Sequence, residues 1–194
     1  GNFHDEPVLL IKASIGNRSL GWDYLPPGSE QYTVDDTTYA GYGDSPSSWP
    51  EGTTPEPIDW YAGKQYDDCV EATHDVLNNF DDLFPQYADQ GYEIAGFVWW
   101  QGHKDGNDVH AGRYEQNLVH LINCFRDEFE APKAPFVLAT IGFGGWDMEG
   151  PHVTVADAQL AVSGETGNYP EFKGNVRTVE IRDYWRDVSI SPSG

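Results

Sequence analysis

The sequence predicts an α/β protein with a mainly parallel sheet and helices on both faces of that sheet. Short continuous apolar runs, typical of strands buried on both faces, alternate along the chain with longer segments in which apolar residues recur every three or four positions. Such alternation favours parallel strands joined by right-handed helical crossovers. The active or binding sites of open sheets of this kind lie at the carboxyl ends of the strands.

The predicted elements follow each other in a regular order. The run PVLLI at Pro7–Ile11 predicts the first buried strand. Helical periodicity from Gly63 to Phe84 predicts a long helix, which Pro85 ends because proline lacks the N–H that a helix interior needs. A strand, a helix, a strand, a helix and a last strand are then predicted at Ile94–Trp100, Ala111–Phe129, Pro135–Ile141, Val153–Val162 and Asn175–Ile181.

Residues 15–64 separate the first strand from the first helix and show almost no periodicity. A segment of this length without its own elements is unusual in a compact domain. We interpret it as a structured lobe over one end of the sheet, with a linker as the alternative. Aromatic side chains would hold the lobe in place, namely Trp22, Tyr24, Trp49, Trp60 and Tyr61.

Length and charge limit the classes of function. A chain of 194 residues fits one domain, 1–194, with a sizeable core. The net charge of −21, from 32 acidic and 11 basic residues, would repel nucleic-acid backbones and anionic membranes, so neither is an expected partner. Acidity of this degree also suits solubility in salty surroundings. No run approaches the ~18 apolar residues of a membrane span.

Cysteines and histidines give no strong indication of a cofactor. Cys69 and Cys124 are far apart in sequence and lie in predicted helices, which favours two free thiols over a disulfide and leaves the compartment open. Four possible metal ligands crowd one loop, but none of them forms a helical i, i+4 histidine pair. These are His103, Asp105, Asp108 and His110. We therefore expect neither a metal nor an organic cofactor.

One serine motif is misleading. The sequence GDSP at Gly43–Pro46 matches the start of a lipase-like nucleophile loop, but no apolar strand precedes it and no helix follows. A solvated turn is expected there. Loop acids such as Glu30 and Asp44 would suit a glycoside hydrolase, although nothing selects a pair of them.

Three strand ends carry distinctive residues, at Ser14–Asn17, Gln101–His103 and Gly142–Trp146. If the strands are neighbours, these loops meet at one edge of the sheet. A tetrahedral oxyanion needs two or three fixed donors at about 3 Å, and the backbone N–H of Gly16 and the side-chain amide of Gln101 suit that role. Ordinary turn and polar-capping roles are the alternative for both residues.

The chain resembles the sialate O-acetylesterase-like domain of the SGNH hydrolases, a group related to carbohydrate esterase family six, and in particular its planctomycete-type members. The resemblance covers essentially the whole chain and is most specific around Trp100-Gln101-Gly102. The segments that carry it are IKASIGNRSLGWDYLPPGS (Ile11–Ser29), YEIAGFVWWQGHKDGNDVHAGRYEQNLVHLINCFRDEF (Tyr92–Phe129), APFVLATIGFGGW (Ala134–Trp146) and FKGNVRTVEIRDYWRDV (Phe172–Val188).

The resemblance implies a three-layer α/β/α sandwich and serine-dependent removal of acetyl groups from sugars. It places the oxyanion hole at Gly16 and Gln101, and an acetylated carbohydrate becomes the expected substrate. Asn17 stands where many relatives have a second glycine, and His103 stands where many have a glutamate. The expected substrate-binding residues are Asn17, Trp100, His103 and Trp146, and a secreted or periplasmic location is expected.

The family's nucleophilic serine and catalytic histidine find no matching positions between Gly1 and Gly194. We therefore expect these 194 residues to be the middle portion of an esterase domain, without its terminal segments and catalytically incomplete alone. Two alternatives belong to other classes. A non-catalytic carbohydrate-binding or scaffold module would bind sugar without turnover, and a glycoside hydrolase would cleave sugar polymers without releasing acetate.

Overall fold

The computed structural model describes residues 6–186, which form two small sheets and five α-helices. The strands are β1 (Tyr32–Val34), β2 (Thr37–Tyr39), β3 (Ser48–Pro50), β4 (Phe97–Trp99), β5 (Phe136–Ala139) and β6 (Val176–Val179). The α-helices are α1 (Lys64–Asn78), α2 (Phe80–Leu83), α3 (Asp108–Ala111), α4 (Tyr114–Glu128) and α5 (Pro151–Ala161). None of the helices in this described part is long and apolar enough to cross a bilayer.

The predicted parallel sheet is present, with the strand order β4-β5-β6. Both strand pairs are parallel, with Val98 opposite Val137 and Val137 opposite Arg177. The helix between each pair packs on the sheet, and together they enclose the main core. Its largest fully buried side chains include Tyr114, Phe136, Phe172, Leu118 and Leu138. The mixed α/β class and the parallel sheet that the sequence predicts are confirmed.

Within the described residues, helices cover only one face of this sheet. Leu138 on β5 is buried beneath α4 and α5, whereas its neighbour Val137 points to the other face and is partly exposed. Val98 of β4 lies on that second face and is 79% exposed. Burial therefore alternates from residue to residue along these strands, whereas the apolar runs predict strands that are buried on both faces.

The predicted strand at Pro7–Ile11 is wrong. Residues 7–11 have no regular secondary structure, and Val8 and Leu10 are 73% and 79% exposed. A strand needs hydrogen bonds to a neighbour, and β4 pairs only with β5 in the described part of the chain. An apolar run shows what a segment could bury, but it does not supply the partner.

The lobe over residues 15–64 contains structure that the sequence pattern did not predict. The strands β1, β2 and β3 form an antiparallel sheet, and the turn between β1 and β2 is Asp35-Asp36, both with positive φ. Positive φ at both central residues is the geometry of a type I′ hairpin turn. Trp22 and Trp49 pack on a small second core of Leu25, Ala40 and Ala62. The single-domain boundaries remain a prediction.

Arg126 joins α4 to the amino ends of β5 and β6. It is buried, and its guanidinium donates hydrogen bonds to the carbonyl oxygens of Ala134 (2.9 Å from Nη2) and Asn175 (3.2 Å from Nη2) and to Asn175 Oδ1 (2.9 Å). Ala134 lies two residues before β5 and Asn175 one residue before β6, so one side chain fixes the separation of two strand starts.

We expect Arg126→Met to lower the free energy of unfolding by about 1–3 kcal/mol, because the buried Ala134 carbonyl would be left without a donor, whereas the Asn175 carbonyl keeps its hydrogen bond from Phe136 N. Urea unfolding followed by circular dichroism measures the change. Arg177→Met is the control, since Arg177 is exposed on β6 and its loss is expected to cost less than about 0.5 kcal/mol. Equal losses in the two variants would show that the carbonyl contacts contribute nothing specific.

Candidate active site

The loops after β4, β5 and β6 meet at the carboxyl edge of the parallel sheet, as the sequence predicts for a site. Gln101 follows β4, Ile141 follows β5, and Thr178 lies near the end of β6. Gln159 of α5 contacts all three: its Nε2 donates to Gln101 O (2.7 Å), its Oε1 accepts from Ile141 N (2.7 Å), and its backbone oxygen accepts from Thr178 Oγ1. A fully buried amide thus holds three strand ends in one arrangement.

The side-chain amide of Gln101 is held at both of its ends. Its Nε2 donates to Arg18 O (2.8 Å) and to Asp105 Oδ2 (2.7 Å), and its Oε1 accepts from the hydroxyl of Tyr114 (3.1 Å). The contact with Arg18 links the β4 loop to the loop that carries Gly16 and Asn17. Gln101 therefore connects two of the three strand-end loops that the sequence singles out.

Asp105 lies beneath Gln101 and has no exposed surface. Its carboxylate accepts hydrogen bonds from Gln101 Nε2 and from the backbone N–H groups of Leu20 (2.8 Å) and Gly21 (2.8 Å). Burial raises the pKa of Asp105, while these hydrogen bonds act in the opposite direction. His110 Nδ1 lies 3.6 Å from Asp105 Oδ1, and burial lowers the pKa of His110.

Gly102 shows why the loop after Gln101 needs a glycine. Its φ is 149°, a conformation that L side chains rarely adopt. A β-carbon at this position would also lie 2.8 Å from Ile141 Cγ2 and 3.0 Å from Gln159 Nε2. Close approach of the β4 loop to Ile141 and α5 therefore requires glycine at position 102.

Exposed aromatic side chains lie in the loops that follow the strands of the parallel sheet. Trp100 is 75% exposed and Trp146 is 62% exposed, so neither is a core residue. His103 is exposed, and its ring centroid lies 4.5 Å from that of Phe143, which in turn lies 5.6 Å from that of Trp185. The loops after β4, β5 and β6 each contribute to this aromatic rim.

Trp146 is held in place by residues that follow β6. Its indole Nε1 donates to Asp183 Oδ1 (2.7 Å), and the guanidinium carbon of Arg182 lies 4.3 Å from its ring centroid. Arg182 in turn forms a bidentate ion pair with Glu180, at 2.9 Å from Nε to Oε1 and 2.6 Å from Nη2 to Oε2. The hydrogen bonds from Arg182, with a further one from Thr140, lower the pKa of Glu180 to about 2.

Gly16 and Asn17 are exposed in the loop beside Gln101. Asn17 adopts a left-handed conformation with φ of 60°, and the N–H of Gly16 makes no hydrogen bond within residues 6–186. The structure therefore brings the predicted residues to one edge of the sheet, although their roles remain predictions. Sequence reasoning missed Gln159 and Tyr114 as partners of Gln101, and it considered Asp105 only as a metal ligand.

A scan with known protein families identifies a family of carbohydrate esterases. The model of a carbohydrate esterase family, described as sialic acid-specific acetylesterase, matches residues 39–172. The chain belongs to this family. The matched range includes Trp100, Gln101, His103 and Trp146, and Gly16 and Asn17 lie before it.

Relatives of the carbohydrate esterase family resemble parts of the chain. A probable carbohydrate esterase of Arabidopsis thaliana is 33% identical over 73 residues, which are 37% of this chain and 26% of that protein. The chain thus aligns with about a quarter of the length of that relative. A crystal structure of an Arabidopsis thaliana protein matches with a TM-score of 0.42 at 26% identity, covering 60% of this chain and 39% of that one, a likeness too weak to support an argument.

Two other candidate sites do not fit an esterase centre. Ser45 of the GDSP motif lies in the expected turn, where its Oγ donates to Trp60 O (2.7 Å) and accepts from Ile58 N (2.9 Å), so it closes a loop. A cavity of about 140 Å³ lies at the amino ends of β5 and β6, at the end of the sheet opposite Gln101. Among residues 6–186, no three His, Cys, Asp or Glu side chains are grouped to hold a metal ion. Cys69 and Cys124 are free thiols.

We expect Glu180→Gln to destabilise the protein at neutral pH but not in strong acid. A carboxylate whose pKa is lowered from 4.5 to about 2 contributes stability above pH 4.5, and that contribution disappears as the pH falls toward 2. The difference in unfolding free energy between the wild type and the variant, at most about 3 kcal/mol at pH 7, should therefore narrow between pH 5 and pH 3. Urea titrations at several pH values measure it, and a constant difference would contradict the assignment.

Proposed function

We propose that these residues form the oxyanion and substrate-binding side of a serine-dependent carbohydrate O-acetylesterase. Membership of the carbohydrate esterase family supports an esterase at the level of the family. The observation that carries the finer proposal is the placement of the Gln101 amide, which is held by buried partners at the edge of the sheet where exposed aromatic rings converge.

The proposed reaction is acyl transfer in two steps. A serine hydroxyl, deprotonated by a histidine, attacks the acetyl carbon, and the sugar hydroxyl leaves with the proton that the histidine returns. Water then attacks the acetyl-enzyme and releases acetate. We propose that the serine and the histidine come from segments beyond the 194 residues, because the family's motifs for them find no matching position within this sequence.

The tetrahedral intermediate of each step carries a negative oxygen that needs donors. One hydrogen of Gln101 Nε2 is held by buried Asp105, and the other points to the carbonyl of Arg18 in the adjacent loop. The Arg18 carbonyl already accepts the second hydrogen at 2.8 Å, so we propose that the oxyanion displaces this carbonyl and takes over the hydrogen, together with the N–H of Gly16. An oxyanion donor typically contributes about 3 kcal/mol to lowering the barrier.

The aromatic rim would bind the sugar. Sugar rings stack on exposed aromatic faces, and Trp100, His103 and Trp146 are exposed around the amide. We propose Asn17 as a polar contact, because its amide lies exposed in the loop that Gln101 joins. We also propose that the complete domain is a three-layer sandwich in which further helices cover the second sheet face, and that it works outside the cytoplasm, in a secreted or periplasmic location.

The direct test uses a full-length form that contains these residues. We expect it to release acetate from acetylated sugar and to gain the mass of one adduct from a fluorophosphonate probe, because an activated serine reacts with that reagent. Intact-mass spectrometry and an acetate assay measure both. The 194-residue chain alone is the matched control and should stay unlabelled at 21.7 kDa. A full-length form that neither reacts nor releases acetate would contradict the proposal.

We expect Gln101→Ala in the full-length form to lower kcat by about 100-fold or more, the usual effect of losing one oxyanion donor. Its three side-chain hydrogen bonds also predict a loss of about 1–3 kcal/mol in stability, which is larger than the sequence alone suggests. Gln65→Ala is the control, because Gln65 is also buried but lies at the start of α1. Normal turnover by Gln101→Ala would make this residue a structural cap.

A second candidate function is sugar binding without chemistry. The exposure of Trp100 and Trp146 favours it, because rings of this kind bind sugars in the absence of any catalytic group. Isothermal titration with acetylated and deacetylated oligosaccharides distinguishes the two. Binding to a full-length form that shows no probe adduct and no acetate release would favour the binding module.

A further inference from the structure

The orientation of the Gln101 amide decides what this residue can do. A side-chain amide has nearly the same shape when its oxygen and nitrogen exchange places, so packing alone does not select one orientation. A donor to an oxyanion needs the nitrogen on the side of the Arg18 loop. With the oxygen there, two carbonyl oxygens would face each other and no hydrogen would be available.

Tyr114 fixes the oxygen end of the amide. Its hydroxyl accepts hydrogen bonds from Trp99 Nε1 (3.4 Å) and Gln159 Nε2 (3.2 Å). A hydroxyl has one hydrogen, and here it is directed at Gln101, 3.0 Å from its backbone oxygen and 3.1 Å from its Oε1. The atom of Gln101 that faces Tyr114 is therefore an acceptor.

Asp105 fixes the nitrogen end of the Gln101 amide, because a carboxylate, unlike an amide, offers only acceptors in either orientation. Both carboxylate oxygens are acceptors, and the backbone N–H groups of Leu20 and Gly21 hold one each at 2.8 Å. The carboxylate therefore cannot rotate away, and Oδ2 is left facing Gln101 at 2.7 Å. An amide oxygen in that place would meet a buried carboxylate oxygen, which is strongly unfavourable.

We infer that Asp105 is a positioning residue that orients the Gln101 amide with its nitrogen toward the substrate side, and that joins the loop of residues 18–21 to the loop after β4. The inference rests on the proposed function for its catalytic consequence, but not for the Asp105–Gln101 contact itself. Asp105 touches no substrate and acts only through Gln101.

The variant Asp105→Asn keeps the shape of the side chain and removes the strict acceptor. Asp23→Asn is the matched control. Asp23 is also buried and also accepts from the start of the same loop, at 2.8 Å from Ser19 N, but it does not touch Gln101. Both variants should lower the free energy of unfolding, but only Asp105→Asn should free the side-chain amide of Gln101.

Side-chain amide exchange measured by NMR on the 194-residue chain reads the contact without any catalysis. In the wild type, we expect slow exchange for the amides of both Gln101 and Gln159. In Asp105→Asn, exchange at Gln101 should accelerate at least tenfold while Gln159, whose Nε2 donates to the backbone oxygen of Gln101 and to Tyr114 and does not touch Asp105, stays protected. Unchanged exchange at Gln101, or equal acceleration at Gln159, would overturn the inference.

Steady-state kinetics on the full-length form measure the effect of the Asp105–Gln101 contact on catalysis. We expect Asp105→Asn to lower kcat by about ten- to a hundredfold with KM within twofold, and Asp23→Asn to leave both nearly unchanged. Equal losses of kcat in the two variants would overturn the positioning role. A wild type without any acetate release would contradict the proposed function, and the exchange experiment would still decide the Asp105–Gln101 contact.

Discussion

The arrangement of the sheet's carboxyl edge depends on one buried amide, that of Gln159. Its side chain contacts the ends of β4 and β5, and its backbone oxygen accepts a hydrogen bond from β6. Strands in a parallel sheet are fixed to each other by ladder hydrogen bonds only as far as the ladder extends. Past the last pair, the chain needs other partners, and Gln159 supplies them where the candidate site begins.

The Gln159 amide is the first group in a series of hydrogen bonds that leads to Gln101. Gln159 fixes Tyr114, Tyr114 fixes the oxygen of Gln101, and Asp105 fixes its nitrogen. All of these groups except Gln101 are buried, so each hydrogen bond is costly to break. The rigidity of the candidate site therefore comes from polar contacts in the interior, whereas the proposed recognition surface consists of aromatic rings in contact with water.

The sequence predicts the parts of this fold that a local pattern can encode. Helical periodicity locates α4 and α5 to within three residues, and the run at 135–141 contains β5. The single helix predicted at 63–84 is instead two helices, α1 and α2, with a break at Asn79. Pro7–Ile11 fails because pairing depends on a neighbour that no local pattern reveals. The hairpin at Asp35-Asp36 was missed because two aspartates with positive φ are a weaker turn signal than Asn-Gly.

In the candidate site, too, the sequence predicts only the residues that a local pattern reveals. Gln101 and Gly102 stand out because an uncharged amide and a glycine end a buried run. Asp105 stood in a crowded loop whose acids and histidines suggested a metal, and only the three-dimensional structure shows that its acceptors are filled by backbone N–H groups 84 and 85 residues away. Gln159 gave no signal at all, because a glutamine in a helix is most often a surface residue.

Gly102 and the exposed residues near it differ in how much substitution they tolerate. A side chain at Gly102 would collide with Ile141 and Gln159, so the turn itself has no tolerated alternatives. Trp100 before it and His103 after it are exposed and contribute little to the core. A library that randomises those two positions and Trp146 would thus vary the proposed sugar-binding surface on an unchanged scaffold, whereas one that includes Gly102 would consist largely of unfolded protein.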